Sequence, residues 1–199
     1  MIFIYAFLFL ALTYFISSIP FGLILTKSIA HTDIRQSGSG NIGATNVARI
    51  AGKKLGLITL ILDALKGALM VIIARFEFYS MGNLHLFLVL VSLVAVLGHI
   101  FPLYLDFKGG KGVATTIAVL LTLDPSVGFL MIMFWIMTFV TLRISSIASL
   151  VAIASSVALS IHYEAPHSQI ALCIFLFILI AIRHKENIIR LLLGEEKKI

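Results

Sequence analysis

The chain has 199 residues, of which 60% are apolar and 12% are charged. Soluble domains are roughly 45–50% apolar and about 25% charged, so this composition excludes a soluble globular domain, a disordered chain and a nucleic-acid-binding module. We predict an all-α integral membrane protein that forms a single domain over residues 1–199. The single cysteine, Cys173, lies in an apolar run, so no disulfide framework is expected. The formal net charge is +6, and its distribution along the chain bears on topology.

Apolar runs of sufficient length predict most of the membrane-spanning helices, since a spanning helix needs about 20 predominantly apolar residues. The first three predicted spans are residues 2–25, 55–74 and 84–105. A shorter run over 113–123 follows, and the later runs are 126–142, 144–163 and 166–182.

The stretch 113–142 is compatible with either one crossing or two. A helix over residues 113–123 rises only about 16 Å, which is short of the roughly 30 Å hydrocarbon core and argues against two crossings. Asp124 and Pro125 argue against one straight helix through the whole stretch.

Charge decides between these alternatives, because basic loops stay on the cytoplasmic side. Two crossings place all of the 15 Lys and Arg residues except Lys66 and Arg75 on one side. We therefore predict a bundle of seven transmembrane helices, with the N-terminus outside, the C-terminus inside and the functional loops at the cytoplasmic face.

The sixth predicted span carries small residues at every fourth position, namely Ala148, Ala152, Ser156 and Ser160. Small residues at this spacing let two helices approach closely in lipid. We predict a packing face here and not a binding site.

Residues 37–49 form the first polar segment that the membrane character does not explain. Gly38, Gly40 and Gly43 allow successive backbone N–H groups to point at one anion, and Arg49 adds a fork suited to phosphate. An ordinary Gly/Ser/Asn turn has the same composition, so this alternative stays open. The candidate ligands in this segment are Ser39, Gly40, Asn41, Gly43, Thr45, Asn46 and Arg49.

Residues 98–115 form the second polar segment. Lysines and glycines alternate immediately before a predicted helix, and ammonium groups, free amides and a helix N-terminus together suit an anion. The segment is not a P-loop, because Gly112 follows Lys111 where Ser or Thr is required. The alternative is a lysine pair that meets lipid headgroups, and we interpret His99 as a structural donor. The candidate ligands are Lys108, Gly109, Gly110, Lys111 and Gly112.

Residues 183–195 form the third polar segment, in which His184 and Asn187 share one face if the segment is helical. The basic residues here are explained by the positive-inside rule, but Asn187 is not.

Within the second span, Asp63 and Lys66 are three residues apart, and ionisable groups at that depth usually pair or serve function. We favour a structural ion pair over a catalytic role.

All three polar segments resemble motifs of the bacterial acyl-phosphate:glycerol-3-phosphate acyltransferase family. The similar runs are SGNIGATNVAR at 39–49, GHIFP at 98–102 with FKGGKGVAT at 107–115, and RHKEN at 183–187, which continues to Gly194 and Glu195. SIPFG at 18–22 and LDALKG at 62–67 resemble further family positions. The match runs in order through the whole chain.

The resemblance implies that a fatty acyl group passes from acyl phosphate to the 1-hydroxyl of glycerol 3-phosphate, giving lysophosphatidate and inorganic phosphate. It implies a multi-pass protein of the bacterial inner membrane whose site faces the cytoplasm, in contact with membrane lipid. It also implies coupling to an enzyme that produces acyl phosphate. No metal cluster is evident in the sequence, no cofactor is required, and no nucleic-acid partner is expected.

The same resemblance assigns roles to individual residues. Ser39, Arg49, Lys108, His184 and Asn187 would hold glycerol 3-phosphate, and Thr45, Asn46 and Lys111 would line the adjoining phosphate site. The catalytic candidates are His184, Ser39, Lys108 and Asn187. The two lysines could exchange roles, and the hydroxyl proton could pass to a substrate phosphate oxygen or to His184. Other acyltransferases that use glycerol 3-phosphate carry a His-x4-Asp motif, and this motif is absent from the present sequence.

A small transporter for organic phosphates is the alternative from a different class. The polar segments all lie on one predicted face, however, whereas alternating access needs a substrate site near the midplane. A purely structural membrane subunit would leave the glycine-rich loops unexplained.

Overall fold

The computed structural model describes residues 2–198, and its regular structure over that range is entirely helical. Two short 3₁₀ turns, Ile34–Gln36 and Leu103–Leu105, accompany the α-helices. The α-helices are α1 (Ile2–Ser17), α2 (Phe21–Ile29), α3 (Ala44–Ala51), α4 (Lys53–Glu77), α5 (Leu84–Ile100), α6 (Val113–Leu123), α7 (Pro125–Leu142), α8 (Ser145–His162), α9 (His167–Arg183) and α10 (Lys185–Leu192).

Within the described residues, 5 helical stretches are long and apolar enough to cross a membrane, and the bent pair α9–α10 raises the number to 6 if it is one span. The pair bends by 60° at His184. The 11-residue helix α6 is apolar but shorter than these. The prediction of an all-α membrane protein is confirmed. The candidate spans are Ile2–Ile29, Lys53–Glu77, Leu84–Leu105, Pro125–Leu142 and Ser145–His162.

Prolines mark the interruptions inside and between the predicted spans, because proline lacks a backbone N–H and restricts the residue before it. The first span is broken at residues 18–20 before α2, and the third leaves α-helical geometry at Phe101, before Pro102. The predicted break at Asp124 and Pro125 is confirmed. Asp124 accepts a hydrogen bond from the Val127 N–H at 3.2 Å and thereby caps α7.

Helix α6 runs parallel to α4 through the bundle. Near its start, Thr115 Oγ1 donates to the Asp63 carbonyl at 3.0 Å, and near its end the Thr122 carbonyl accepts from Arg75 Nη2 at 2.7 Å. Helix α7 then returns to the end of the bundle where α8 begins. Helices α6 and α7 therefore form a hairpin that turns at Asp124.

Part of the hydrophobic core lies where α5 packs against α4, α6 and α9. Val91, Val96, Leu120, Leu176 and Ile180 are all completely buried there. Aromatic and aliphatic side chains on the outside of α1 and α7 are exposed, as expected for helices that face lipid hydrocarbon.

The small residues of α8 form a packing face, as the sequence predicted. Ala148, Ala152, Ser156 and Ser160 are all buried, and α8 packs against α7 and α9.

Candidate active site

The loop before α3 is shaped by Asn46. Its Nδ2 donates to the carbonyls of Ser37 at 3.0 Å and Asn41 at 2.9 Å, and its Oδ1 accepts from the Ser39 N–H at 3.0 Å. Asn46 is only 2% exposed, so both polar ends of its amide are used to hold the loop. Gly40 within the loop has φ 69°, a conformation that side chains rarely adopt.

The polar side chains of this first segment differ in their surroundings. Ser39 and Arg49 are exposed at the loop surface and at the last turn of α3. Thr45 instead shares a hydrogen bond with Ser145 at 3.0 Å, so the first segment contacts the start of α8.

The glycines of the second segment fold tightly against the end of α5. The Gly109 N–H donates to the Ile100 carbonyl at 3.1 Å, and the Gly110 N–H donates to the His99 carbonyl at 3.2 Å. A Cβ on Gly109 would overlap the His99 carbonyl, and one on Gly110 would overlap the His99 ring. These positions therefore require glycine.

Two contacts join the second segment to the third. The Lys111 ammonium donates to Asn187 Oδ1. Arg183 Nη2 donates to the Gly109 carbonyl at 3.2 Å, and the guanidinium lies 5.8 Å from the centre of the Phe101 ring. Lys108, in contrast, is exposed.

Glu196 closes the network and was not among the predicted site residues. Its Oε1 accepts from Ser146 Oγ at 2.8 Å and from Asn187 Nδ2 at 2.5 Å, and its Oε2 accepts from Arg190 Nε at 2.8 Å. Gly194, with φ 73°, reverses the chain after α10 and allows this return. The sequence signal is weak, since it consists of a glycine before two acidic residues at the end of a basic helix.

Burial and neighbouring charges alter the protonation of the groups in this network. The pKa of Lys111 is lowered to about 8, mainly by burial; the negative charge of Glu196 opposes this effect, and the positive charge of Arg190 adds to it. Burial also lowers the pKa of His184 to about 4, with Lys111 acting in the same direction. Although burial opposes it, hydrogen bonds from Arg190, Asn187 and Ser146 hold the pKa of Glu196 below its usual range.

The tautomer of His184 follows from its position. Its Nδ1 lies 2.8 Å from the Ile180 carbonyl, which can only accept, so Nδ1 carries the proton. At neutral pH the ring is uncharged and Nε2 is the unprotonated nitrogen.

Comparison with known proteins identifies the family. The sequence profile described as Glycerol-3-phosphate acyltransferase matches residues 7–194. The chain is 47% identical over 186 residues to a glycerol-3-phosphate acyltransferase of Caulobacter vibrioides, a match that covers 94% of this chain and 84% of the relative. The chain belongs to the glycerol-3-phosphate acyltransferase family. A Myxococcus xanthus glycerol-3-phosphate acyltransferase is 44% identical over 187 residues, which cover 94% of this chain and 96% of that protein.

Solved structures of the family share the fold. The crystal structure of PlsY, an integral membrane glycerol 3-phosphate acyltransferase, in its glycerol 3-phosphate form aligns with a TM-score of 0.91 and 38% identity, over 98% of this chain and 95% of that one. The lysophosphatidic acid form of PlsY aligns with a TM-score of 0.87 and 36% identity. The fold of this acyltransferase is thus that of an integral membrane enzyme.

The acyltransferase brings all three predicted segments to one end of its helix bundle. Contacts run from Thr45 to α8, from α8 to Glu196, and from Glu196 through Asn187 to Lys111. Ser39, Arg49 and Lys108 lie on the same segments with exposed side chains. Asp63 and Lys66 form an ion pair of 2.8 Å deeper in the bundle.

The third segment is interrupted by a bend, since α9 ends at Arg183 and α10 begins at Lys185 after a change of direction of 60°. His184 is the N-cap residue of α10 and stands three residues before Asn187. His184 occupies the bend, where its N–H donates to the Ile180 carbonyl at 3.0 Å.

Proposed function

We propose that this chain transfers a fatty acyl group from acyl phosphate to the 1-hydroxyl of glycerol 3-phosphate, which yields lysophosphatidate and inorganic phosphate. As a family member it is a membrane-integral glycerol-3-phosphate acyltransferase that makes lysophosphatidate. The acyl phosphate donor, the position of acylation and the residue roles are our proposal. The observation that carries it is the direct contact between the lysine–glycine loop and the third segment, through Lys111 and Asn187, beside the loop that Asn46 shapes.

The proposed roles divide the site between two phosphate groups. Ser39, Arg49, Lys108, His184 and Asn187 bind glycerol 3-phosphate. The phosphate of the acyl donor lies against Lys111 and Thr45, in a loop whose form depends on Asn46. Asp63 and Lys66 serve as a structural pair. The backbone positions that complete the two sites are Gly40, Asn41, Gly43, Gly109, Gly110 and Gly112.

The reaction needs positioning and charge stabilisation more than a strong base. The glycerol oxygen forms a bond to the acyl carbonyl carbon, the bond from that carbon to the phosphate oxygen breaks, and phosphate leaves as a stable anion. Positioning and fixed positive charge each contribute several orders of magnitude in rate. No cofactor or metal enters the scheme.

The hydroxyl proton has two candidate acceptors, a substrate phosphate oxygen and His184. The low pKa of His184 favours the phosphate oxygen as the acceptor. A phosphate monoester has a second pKa of about 6, whereas the pKa of His184 is about 4. A phosphate oxygen is therefore the stronger base of the two, and we assign His184 to binding.

The defining experiment supplies purified protein in lipid with an acyl phosphate and glycerol 3-phosphate and measures free phosphate and lysophosphatidate. Stoichiometric release of both is expected, with none from acyl-CoA as the donor. If no phosphate is released and sealed vesicles instead accumulate glycerol 3-phosphate, the protein is a transporter and the proposed reaction is wrong.

A second measurement separates the two roles of His184. We expect His184→Ala to raise the KM for glycerol 3-phosphate by about tenfold, the scale of one lost hydrogen bond from a substrate hydroxyl to Nε2, with little change in kcat. A loss confined to kcat would instead identify His184 as the base.

We further propose that the chain crosses the bacterial inner membrane seven times as a single domain over 1–199, with its N-terminus outside and the site and C-terminus in the cytoplasm. The parallel path of α6 beside α4 supports a separate crossing for α6, despite its rise of about 16 Å. Membrane lipid surrounds the protein, and an enzyme that makes acyl phosphate must supply the donor.

A further inference from the structure

A buried polar cluster, formed by Asp63, Lys66 and His99, lies behind the glycine loop, and the scheme above gives none of the three a contact with substrate. All three residues are at most 5% exposed. Lys66 Nζ lies 2.8 Å from Asp63 Oδ1 and also donates to the Ile19 carbonyl at 2.9 Å, in the break between α1 and α2. The cluster thus connects the interrupted first span to α4 and α5.

His99 differs from the satisfied structural donor that the sequence predicted. Its Nδ1 lies 3.5 Å from Asp63 Oδ1 and makes no hydrogen bond to any described residue. The other side of the ring faces Gly110 so closely that a Cβ there would overlap Nε2 and Cε1. The same residue accepts the Gly110 N–H at its backbone carbonyl.

The neighbouring residue of Gly110 is Lys111, whose ammonium meets Asn187. A glycine-rich loop has wide conformational freedom, so a rigid surface beneath it restricts the directions that Lys111 can take. An apolar side chain would pack there without the cost of ionisable groups at membrane depth. The carboxylate of Asp63 instead lies 3.5 Å from Nδ1, at one edge of the imidazole, and limits rotation of the ring.

We propose that His99 is a positioning residue for the phosphate-binding loop, oriented by Asp63 and supporting Gly110 so that Lys111 reaches its bound position. Lys66 balances the charge of Asp63 and ties the cluster to the break before α2. The identity of the bound group as a phosphate ester rests on the proposed function.

The direct contact between His99 and Gly110 is tested by a double-variant cycle. Gly110→Ala places a methyl group against the imidazole, and we expect it to raise the KM for acyl phosphate, whose phosphate we place against Lys111, by about tenfold, the scale of overpacking one close contact. His99→Ala removes the ring, so in that background Gly110→Ala should cost less than about threefold. If Gly110→Ala had the same effect in the parent and in His99→Ala, the proposed support of Gly110 by His99 would be wrong.

Gly109→Ala provides the matched control. Its methyl group would meet backbone carbonyls and the ring of Pro102 and not the imidazole, so His99→Ala should not relieve it. If His99→Ala rescues both alanines equally, the loop has merely loosened and the positioning role is wrong.

Positioning is separated from simple folding support by His99→Phe and Asp63→Asn. His99→Phe keeps a flat ring but loses the Nδ1 edge that faces Asp63, and we expect a higher KM for acyl phosphate at unchanged kcat, with the midpoint of thermal unfolding retained. Asp63→Asn should raise KM in the same direction. Wild-type KM in His99→Phe, or a lowered midpoint with normal KM in the folded fraction, would overturn the inference.

These outcomes remain distinct from failure of the proposed function. If the parent protein releases no phosphate from acyl phosphate, the function fails, and the same variants are then titrated with inorganic phosphate while the unfolding midpoint is followed. Weaker phosphate stabilisation in Gly110→Ala, relieved by His99→Ala, would support positioning, and identical or absent stabilisation in all variants would exclude it.

Discussion

Lys111 is the residue whose chemistry depends most on its surroundings. It is half-buried against Asn187, and its pKa is about 8. The ammonium therefore loses its proton as the pH rises through 8, about two units below an ordinary lysine. Lys108 lies in the same glycine-rich loop, but its side chain is exposed to solvent.

This difference predicts the alkaline behaviour of the enzyme. We expect the KM for acyl phosphate to rise above pH 8, by up to about tenfold per pH unit, because its phosphate loses the positive charge of Lys111. Lys111→Arg keeps its charge at alkaline pH and should remove the rise. KM measured from pH 6.5 to 9.5 in both proteins tests this, and the same alkaline rise in Lys111→Arg would contradict it.

Glu196 illustrates a residue that becomes important only through its partners. We expect Glu196→Ala to destabilise the protein by about 1–3 kcal/mol, because it leaves buried donors of Asn187 and Ser146 without an acceptor. Glu195→Ala, at an exposed neighbouring position, is the control and should have little effect. Thermal unfolding in detergent compares the two, and equal midpoints would contradict the role.

The pH dependence of this contribution has a definite sign. The pKa of Glu196 is lower in the folded protein than in the unfolded chain. Its stabilisation is therefore complete above the ordinary glutamate value of about 4.3 and is lost as the pH falls below that value. The deficit of Glu196→Ala relative to the parent should shrink on acidification.

At the scale of elements, α8 shows how residue size sets helix spacing. Its small residues are buried against α7 and α9, while the adjacent Val151 points outward and is 37% exposed. The spacing of four residues places the small side chains on one face, which lets the neighbouring helices approach closely.

Enlarging one of these residues should separate the helices. We expect Ala152→Leu to cost about 1–3 kcal/mol, and more if the backbone cannot move, whereas Val151→Leu on the exposed face should be nearly neutral. The unfolding midpoint and the yield of monodisperse protein measure the difference. Equal behaviour of the two variants would mean that the face does not set the packing.

The α6–α7 hairpin depends on both local and remote groups. Asp124 caps α7 locally and accepts from Gln169 of α9 at 2.8 Å. Arg75 of α4 donates to carbonyls at the end of α6. The turn is therefore stabilised by two other helices, which explains how so short a helix as α6 keeps its place.

At the scale of the whole molecule, the proposed orientation can be tested with single cysteines. The native Cys173 is completely buried, so an impermeant maleimide should leave the parent unlabelled. We expect Tyr79→Cys to react from outside the inner membrane, and Lys54→Cys and Glu195→Cys to react only after the membrane is opened. Labelling of Glu195→Cys from outside would mean that residues 113–142 cross only once.

Much of the fold could be predicted from the sequence, because hydropathy and proline act locally. The apolar runs located the long helices, and Asp124 with Pro125 located the turn between α6 and α7. The bend at His184 could not be predicted in the same way. Beside the bend, Arg183 donates to the Gly109 carbonyl, and these two groups are remote in the chain.

The sequence alone determined the membrane character, the helix-forming runs and the three polar segments with their glycines and basic groups. These properties belong to single residues and their near neighbours. Only the tertiary structure decided that Lys111 meets Asn187, that Glu196 joins α8 to α10, and that His99 lies beneath Gly110. Each of these contacts joins groups on different elements, and such contacts form only when the helices pack and exclude lipid from between them.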